Sequence, residues 1–402
     1  MARNFPTVNI NEKAELRVRA GHPWVYEDDI SSVGADVIDG ELVDVLSVKG
    51  KYLGTAFYNS ASKIRLRVVS QNANDRFDES FWRRRVCYAL DYRKTVMGAD
   101  FACSRLVFGE ADGLPGLTVD LFNDIIVSEV ACLGTDRVKG IIYDALWDEL
   151  CRRGITPTAI YERNELALRD KEGLARYKGF WRGDGDGSTY ITENGIKYKV
   201  DYIEGQKTGY FLDQKYNRAA ISKIAKDKTV LDCFTHTGAF ALNAAMGGAK
   251  KVTAVDVSAD ALATAAGNAA LNGLEDRVDF LRADVFELFT EWEAKGKREY
   301  DFIILDPPAF TKSSATVGKA IGGYREINRK AMKLLPRGGY LATCSCSHFM
   351  TDNLFCKMLK SAAEEACVSL KQIERRTQSP DHPIMWNVPE TDYLKFYIFQ
   401  II

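Results

Sequence analysis

Two cysteines, Cys344 and Cys346, follow an apolar run over 340–343 that predicts a buried strand. A second apolar run, over 301–305, ends in Asp306. Because the carboxyl ends of parallel strands meet at one edge of a sheet, we expect the thiols to stand opposite this carboxylate. A thiolate is a strong nucleophile, so these residue types suit covalent catalysis by a cysteine.

Covalent catalysis by a cysteine solves a specific problem in pyrimidine chemistry. Carbon 5 of cytosine is a poor nucleophile, but thiolate attack on carbon 6 makes carbon 5 enamine-like, so that it can take a methyl group. A base must then remove the carbon 5 proton so that the thiol is expelled. Combined with the cofactor site that the acidic strand ends outline, these thiols point to methyl transfer to a pyrimidine carbon, with Asp306 holding the polar edge of the base or moving a proton.

Acidic residues after four successive predicted strands outline a cofactor site. They are Asp232, Asp256, Asp284 and Asp306, and the apolar runs before them lie at 230–231, 252–255, 278–281 and 301–305. The first strand opens onto a loop that ends in Gly238, and a helix is predicted from Ala239. Since the loop lacks the G-x-G-x-x-G pattern, we expect a cofactor without phosphates. The alternative for any one of these acids is a helix N-cap.

The order and spacing of these residues resemble the class I S-adenosylmethionine-dependent methyltransferase fold, over about residues 190–402. The resemblance implies an α/β, Rossmann-like domain with a seven-stranded, mostly parallel sheet and S-adenosylmethionine as the cofactor. It also implies that Asp232 and the loop to Gly238 face the methionine part, that Asp256 faces the ribose and that Asp284 faces the adenine.

The spacing around the cysteines is similar to that in RNA cytosine-5 methyltransferases, whose nucleophile lies seven residues after a Gly-Gly pair and is followed by serine. Counting from Gly339 selects Cys346, with Ser347 next, and Cys344 stays open as the alternative nucleophile. The chain departs from most of those enzymes because Asp306-Pro307-Pro308 stands where they have a Pro-Cys pair. Release of the adduct must therefore use a group other than their second cysteine.

Three further stretches, at 21–26, 109–120 and 205–214, extend the resemblance to the whole chain. Together with 344–347 they resemble the bacterial 23S ribosomal RNA cytosine-5 methyltransferases that carry an N-terminal PUA domain. The resemblance implies an RNA-binding PUA β-barrel at 1–72, a small central α/β domain at 73–187 and the S-adenosylmethionine-dependent methyltransferase domain at 188–402. The cofactor-binding residues that it implies are Lys207, Tyr210, Phe211, Asp232, Phe234, Thr235, Gly238, Asp256, Val257, Asp284, Asp306 and Pro307.

Local patterns predict the elements around these motifs. Strands are expected at 43–48, 53–58 and 64–69, a helix at 81–97, a linker at 179–187 and a hairpin at 190–200. The pair Asn194-Gly195 in that hairpin favours a tight turn. Two basic runs, Arg83-Arg84-Arg85 and Lys63 with Arg65 and Arg67, are candidate RNA-binding patches or solvated surface.

Composition limits the other function classes. The 402 residues carry a net charge of −1, which argues against a protein that coats nucleic acid indiscriminately. Nine cysteines without a C-x-x-C pair fit a reducing cytoplasm, and no metal is expected. No apolar run reaches the length of ~20 residues that a membrane span needs. The partner expected is 23S ribosomal RNA, and the sequence leaves a homodimer open.

Two other functions remain open at this point. Related enzymes that methylate a guanine ring nitrogen also use Asp-Pro-Pro-x-Phe, the pattern at 306–310, without a cysteine nucleophile. A non-catalytic RNA-binding module that keeps the cofactor for structure is the other alternative.

Overall fold

The structure is a computed structural model, and it describes residues 4–311 and 313–402. The described residues fall into two compact units. The first unit takes the residues up to Ile191, together with Val200–Leu212 and Pro380–Thr391. The second takes Thr192–Lys199, Asp213–Ser379 and Asp392–Ile402. The domain boundaries expected at 72 and 187 stay predictions.

The first unit begins with a six-stranded sheet and one short helix, α1 (Glu12–Arg19). Its strands are β1 (Thr7–Ile10), β2 (Trp24–Tyr26), β3 (Ile30–Val33), β4 (Leu42–Ser47), β5 (Tyr52–Tyr58) and β6 (Ile64–Ser70). Their order is β2-β6-β5-β4-β1-β3, and only β1 and β4 run parallel. The three strands predicted from the sequence are present to within one residue at each end, because apolar residues bounded by turn residues mark them.

A second, five-stranded sheet with two long helices follows in the same unit. Its elements are α2 (Glu79–Met97), β7 (Cys103–Phe108), β8 (Leu117–Phe122), β9 (Ile125–Val130), α3 (Leu133–Arg152), β10 (Ala159–Asn164), α4 (Leu168–Lys171) and β11 (Tyr177–Gly183). The order is β11-β10-β9-β8-β7. Asp78 caps α2, since its side chain accepts from the backbone N–H of Phe81 at 3.1 Å. Phe57 stacks on Trp82 with ring centroids 5.8 Å apart and joins the cores of the two sheets.

The prediction of a linker at 179–187 is wrong for residues 179–183. Residues 179–183 belong to β11, which pairs antiparallel with β10 at the edge of the sheet. Most side chains of β11 are exposed, so its sequence lacks the alternation of apolar and polar residues that would predict a strand. The hairpin prediction is confirmed: β12 (Ser188–Glu193) and β13 (Ile196–Asp201) flank Asn194 and Gly195, whose φ angles are 53° and 78°.

The second unit has the seven-stranded, mostly parallel sheet that the family resemblance implies. Its strands are β14 (Thr229–Cys233), β15 (Lys251–Asp256), β16 (Val278–Arg282), β17 (Phe302–Leu305), β18 (Tyr340–Ser345), β19 (Leu370–Arg376) and β20 (Lys395–Ile401). Its helices are α5 (Lys215–Ala225), α6 (Ala239–Met246), α7 (Ala259–Leu271), α8 (Val285–Ala294), α9 (Val317–Leu334) and α10 (Asp352–Glu365). The order is β16-β15-β14-β17-β18-β20-β19, with β20 antiparallel to both neighbours.

This order reverses between β14 and β17, so the crevice at their carboxyl ends is where a doubly wound sheet binds its ligand. Apolar side chains of β14, β17 and β18 pack with those of α8, α9 and α10 into one core beneath that crevice. Among the described residues, no helix combines the length and the apolar character needed to cross a bilayer.

Candidate functional site

Asp232, the fourth residue of β14, is fully buried and only partly satisfied. Its Oδ2 accepts hydrogen bonds from Thr235 Oγ1 at 2.6 Å and from the backbone N–H of Ala241 at 2.9 Å. Its Oδ1 is buried without a hydrogen-bond partner among the residues that the structure describes. Burial, with the nearby charge of Asp306, raises the pKa of Asp232 to about 7. A buried carboxylate oxygen of this kind fits a cationic donor from a ligand.

The loop after β14 has an unusual backbone. Phe234 and His236 have φ angles of 64° and 51°, and Gly238, at the start of α6, has 83°. A Cβ atom at Gly238 would lie 3.0 Å from the Cβ of Ala265, so a larger residue would crowd α7. Left-handed conformations at non-glycine residues are uncommon and cluster at binding sites.

Asp256, the last residue of β15, is partly exposed at the same edge. Its Oδ2 accepts from the backbone N–H of His236 at 2.9 Å, and its Oδ1 accepts from Ser258 N–H at 3.0 Å. Asp256 thus ties the loop after β14 to the end of β15. The next side chain, Val257, is 58% exposed and offers an apolar surface beside the carboxylate.

Asp284, after β16, is the N-cap of α8. Its Oδ1 accepts from the backbone N–H groups of Phe286 at 2.8 Å and Glu287 at 3.2 Å. Oδ1 of this exposed side chain is therefore used as a helix cap, as the capping alternative expects. The expected hydrogen bond to adenine stays a prediction, and it would have to use Oδ2.

Asp306 follows β17, and two side chains hold it. Cys344 Sγ donates to its Oδ1 at 2.9 Å, and Gln214 Nε2 donates to the same oxygen at 3.2 Å. Burial and the charge of Asp213 raise the pKa of Asp306 to about 6, against the effect of these donors. The carboxylate is therefore mostly ionised at pH 7, and the buried Pro307 follows it.

The two cysteines have different surroundings. The strand β18 is two residues longer than predicted, so Cys344 lies within it and is fully buried, whereas Cys346 follows its last residue and is partly exposed. Burial and the adjacent Asp306 raise the pKa of the Cys344 thiol well above its usual range. The residues flanking Cys346 are anchored: Ser345 Oγ donates to Tyr324 Oη at 3.0 Å, and Ser347 Oγ donates to the carbonyl of Thr311 at 2.9 Å.

Comparison with known proteins identifies this arrangement. A family model described as S-adenosylmethionine-dependent methyltransferase matches residues 175–399, and a PUA-like domain model matches residues 8–71. The chain belongs to the S-adenosylmethionine-dependent methyltransferases. S-adenosylmethionine is accordingly its cofactor.

Curated relatives match this methyltransferase over nearly its whole length. The protein named ribosomal RNA large subunit methyltransferase I from Pseudoalteromonas translucida is 41% identical over 384 residues, covering 94% of this chain and 95% of that protein. The protein of the same name from Vibrio cholerae is 39% identical over 402 residues, covering 99% and 100%.

Two solved structures share the fold. A putative S-adenosylmethionine-dependent methyltransferase from Streptococcus mutans superimposes with a TM-score of 0.82 at 22% identity, covering 98% of this chain and 99% of that one. A putative methyltransferase complexed with SAH gives the same values.

The residues of the methyltransferase fit its cofactor. The unpartnered Oδ1 of Asp232 is suited to the ammonium group of the methionine part, and Asp256 to the ribose hydroxyls. Three other expected cofactor residues, Lys207, Tyr210 and Phe211, lie in the first unit, in a segment where Lys207 Nζ lies 4.6 Å from the centre of the Phe211 ring. Their contact with the cofactor stays a prediction.

Sequence reasoning missed two residues of the methyltransferase site. Gln214, which reaches Asp306, is itself held by Asn217, whose Nδ2 donates to its Oε1 at 2.6 Å. Lys395, the first residue of β20, is buried, and its Nζ donates to the carbonyl of Ser347 at 2.6 Å. Gln214 ends the stretch at 205–214, in which no local pattern gives it a role, and Lys395 belongs to no motif.

Proposed function

We propose that this methyltransferase transfers a methyl group to carbon 5 of a cytosine in 23S ribosomal RNA, with Cys346 as the nucleophile. The observation that carries the proposal is the pair of cysteines at the end of β18: Cys344 donates to Asp306, and Cys346, two residues further on, is partly exposed. The relatives named ribosomal RNA large subunit methyltransferase I and the PUA-like domain support RNA as the substrate.

The reaction follows from the chemistry of the base. The Cys346 thiolate bonds to carbon 6 of the cytosine, and the electron pair of the 5,6 double bond makes carbon 5 nucleophilic. S-adenosylmethionine, when bound, would supply the methyl group that carbon 5 takes, and S-adenosylhomocysteine would be left. A base then removes the carbon 5 proton, the double bond re-forms, and the bond between sulfur and carbon 6 breaks to release the thiolate.

Burial favours Cys346 over Cys344 as the nucleophile. The attacking form is the thiolate, and each unit of raised pKa reduces the thiolate fraction about tenfold. The pKa of Cys344 is raised by burial and by Asp306, to which its thiol already donates, so its thiolate is scarce at neutral pH. We assign Cys344 to holding Asp306.

Asp306 then has a defined task. Both donors that hold it, Cys344 and Gln214, bind Oδ1, so Oδ2 remains available to accept from the exocyclic amino group of cytosine. That contact would fix the ring with its polar edge toward β17. The base must leave its stack to reach the site, and the RNA-binding parts of the chain are expected to offset that free energy.

Trapping with RNA that contains 5-fluorocytosine tests the proposal. Fluorine at carbon 5 cannot leave as a proton, so the protein–RNA bond persists and is seen as a slow-migrating band on a denaturing gel. We expect trapping by the wild-type protein and by Cys151→Ala, an exposed cysteine of the first unit that serves as the control. Trapping should vanish in Cys346→Ala and persist in Cys344→Ala.

Other results would identify the alternatives. Loss of trapping in Cys344→Ala alone would make Cys344 the nucleophile. Methylation without trapping, with the label on a guanine, would support the ring-nitrogen reaction instead.

A further inference from the structure

A pocket of about 550 Å³ lies within the first unit, and no step of the methyl transfer uses it. Its lining brings together two of the stretches that the sequence singles out, at 21–23 and 110–113, with one face of α2. The volume lies within the range of roughly 300–1,000 Å³ that holds small ligands in proteins.

One helix face supplies the chemistry of this pocket. Arg85, Tyr88, Ala89 and Tyr92 line it at helical spacing of three and four residues, so they share one side of α2. Tyr88 is 62% exposed and Tyr92 39%, whereas Ala89 is buried between them. The hydroxyl of Tyr92 donates to the carbonyl of Pro380 at 3.1 Å, which fixes that ring.

Arg85 differs from the other arginines of its run. Arg83 pairs with Asp148 at 3.1 Å, and Arg84 pairs with Asp75 at 3.2 Å. Within the described part of the chain, Arg85 forms no ion pair; its Nη2 donates to the carbonyl of Val69 at 2.9 Å. Burial lowers the pKa of Arg85, and the charge of Asp75 only partly opposes this effect.

Each of the two carboxylates that line the pocket is paired with an arginine. Glu110 accepts from Arg67 Nη1 and from Trp24 Nε1, both at 2.8 Å. Asp112 is paired with both terminal nitrogens of the buried Arg93. Arg85 is therefore the cation of the lining that is left to attract an anion.

Gly113 makes room for this cation. A Cβ atom at Gly113 would lie 2.7 Å from Nη1 of Arg85, and the residue has a φ angle of 66°. Any larger residue would strain the backbone and displace the guanidinium. The second of the three glycines in the 109–120 stretch is therefore required by the position of Arg85.

We propose that this pocket binds one unpaired nucleotide of the RNA, its base stacked on Tyr88, the more exposed of the two tyrosines, and its phosphate held by Arg85. A guanidinium fork matches a phosphate, and aromatic side chains that stack splayed bases are the usual way in which single-stranded RNA is held. The assignment rests on the proposed function, since it takes RNA as the substrate. It gives the first unit a specific grip on the strand.

The test measures binding of a fluorescent single-stranded 12-nucleotide RNA between 50 and 200 mM salt. Arg85→Ala should weaken binding about tenfold and reduce the slope of log affinity against log salt by about 0.7, the value for one phosphate contact on a single strand. Arg84→Ala, the paired neighbour, should leave the slope unchanged. Arg85→Lys should keep the wild-type salt slope, because it keeps the positive charge. This result would show that the effect of Arg85→Ala comes from the lost charge and not from misfolding.

The stacking surface has its own variants. Tyr88→Ala should weaken binding about tenfold with an unchanged salt slope, and Tyr88→Phe should bind as the wild type does. Tyr190→Ala, at a tyrosine that is 56% exposed in the same unit, is the control. The proposal is overturned if Arg85→Ala behaves as Arg84→Ala does, or if Tyr88→Ala behaves as Tyr190→Ala does.

Two further measurements identify the source of the nucleotide and separate the two proposals. Calorimetry with adenosine and cytidine monophosphates should show only weak binding; tight binding of either, with RNA affinity unchanged in the variants, would make this a free-nucleotide site and reject the RNA assignment. Trapping of 5-fluorocytosine RNA by the wild-type protein is scored in parallel. Its absence rejects the proposed function, while the binding series still decides the pocket.

Discussion

Nζ of Lys395 lies 2.6 Å from the carbonyl oxygen of Ser347, the residue after Cys346. The second acceptor of this ammonium is the carbonyl of Tyr393, at 2.9 Å, and within the described ranges Lys395 has no ion pair. Burial accordingly lowers the pKa of Lys395 to about 8. Lys395 thus links β20 to the segment that carries the proposed nucleophile.

The first prediction concerns the pH dependence that Lys395 imposes on stability. Its folded-state pKa of about 8 lies below the ordinary 10.5, so the unfolded chain binds more protons between these values and the free energy of unfolding rises with pH in that window. Lys395→Met removes this rise, which for a shift of this size is at most ~3 kcal/mol. Urea denaturation at pH 7.5 and 10.5 measures it.

Lys360→Met, at an exposed position of α10, is the matched control and should keep the wild-type pH dependence. We also expect Lys395→Met to lower kcat at least tenfold at pH 7.5, since the loop that carries Cys346 loses an anchor. If the stability of Lys395→Met depended on pH as that of the wild type does, the lowered pKa of Lys395 would be contradicted.

The second prediction is that Asp232→Asn makes the cofactor-free protein more stable and binds S-adenosylmethionine more weakly. Burial raises the pKa of Asp232 to about 7, so the wild-type protein loses stability as pH rises from about 3.8 to 7. At pH 8 the variant should gain roughly 2–3 kcal/mol, because the unpaired amide N–H of Asn offsets part of the relief.

Denaturation at pH 5 and 8 and calorimetry with S-adenosylmethionine check both parts, with an affinity loss of at least tenfold expected. Thr235→Val, which removes a hydrogen bond to Oδ2 and leaves Oδ1 as it is, is the control for the ligand contact and should reduce affinity less. Equal affinity in Asp232→Asn and the wild type would exclude Oδ1 as the ammonium acceptor.

The third prediction separates the two roles of Asp284. Asn caps helices about as well as Asp, so Asp284→Asn should change the free energy of unfolding by less than ~0.5 kcal/mol. If Oδ2 accepts from the adenine amino group, the amide nitrogen that replaces it repels that donor, and S-adenosylmethionine should bind about tenfold more weakly. Asp78→Asn, the N-cap of α2, should change neither quantity. Unchanged affinity would leave Asp284 as a cap alone.

The fourth prediction concerns the acid limb of activity. The pKa of Asp306 is about 6 and its ionised form is the one proposed to hold cytosine, so kcat/KM should fall as pH drops through about 6. The thiol of Cys344 helps to keep that pKa down, so Cys344→Ala should move the limb to higher pH and reduce kcat/KM at pH 7 by less than tenfold. An unmoved limb would mean that another group titrates.

Four of the second unit's parallel strands were predictable one by one, because each is a short apolar run followed by an acid. Asp232, Asp256 and Asp306 do lie at the ends of adjacent strands, as the alternation of strands and helices predicts. Gln214 and Lys395 could not be found this way. They are brought to the site by side-chain packing and strand pairing with residues that are distant in sequence. The antiparallel pairing of Ser345 with Lys395 is set by sheet order, which no local pattern encodes.

Helix patterns were informative about the core but not about function. Phe81, Val86, Ala89 and Leu90 recur at helical spacing and are buried, whereas Tyr92, which continues the same spacing, is 39% exposed and lines the pocket. Spacing alone does not separate a tyrosine that completes a core from one that faces a ligand. The three arginines at 83–85 also differ in a way that the sequence does not show. Arg83 and Arg84 pair with carboxylates, whereas Arg85 donates to a backbone carbonyl.

The position of β20 has a consequence for synthesis. This strand leaves the ribosome after β18 and β19, yet it lies between them and pairs with both. Until residues 395–401 emerge, β18 keeps a bare hydrogen-bonding edge next to Cys344 and Cys346, and such an edge recruits strands from other chains. A nascent chain halted before Lys395 would therefore lack the strand that covers this edge and would be prone to aggregate.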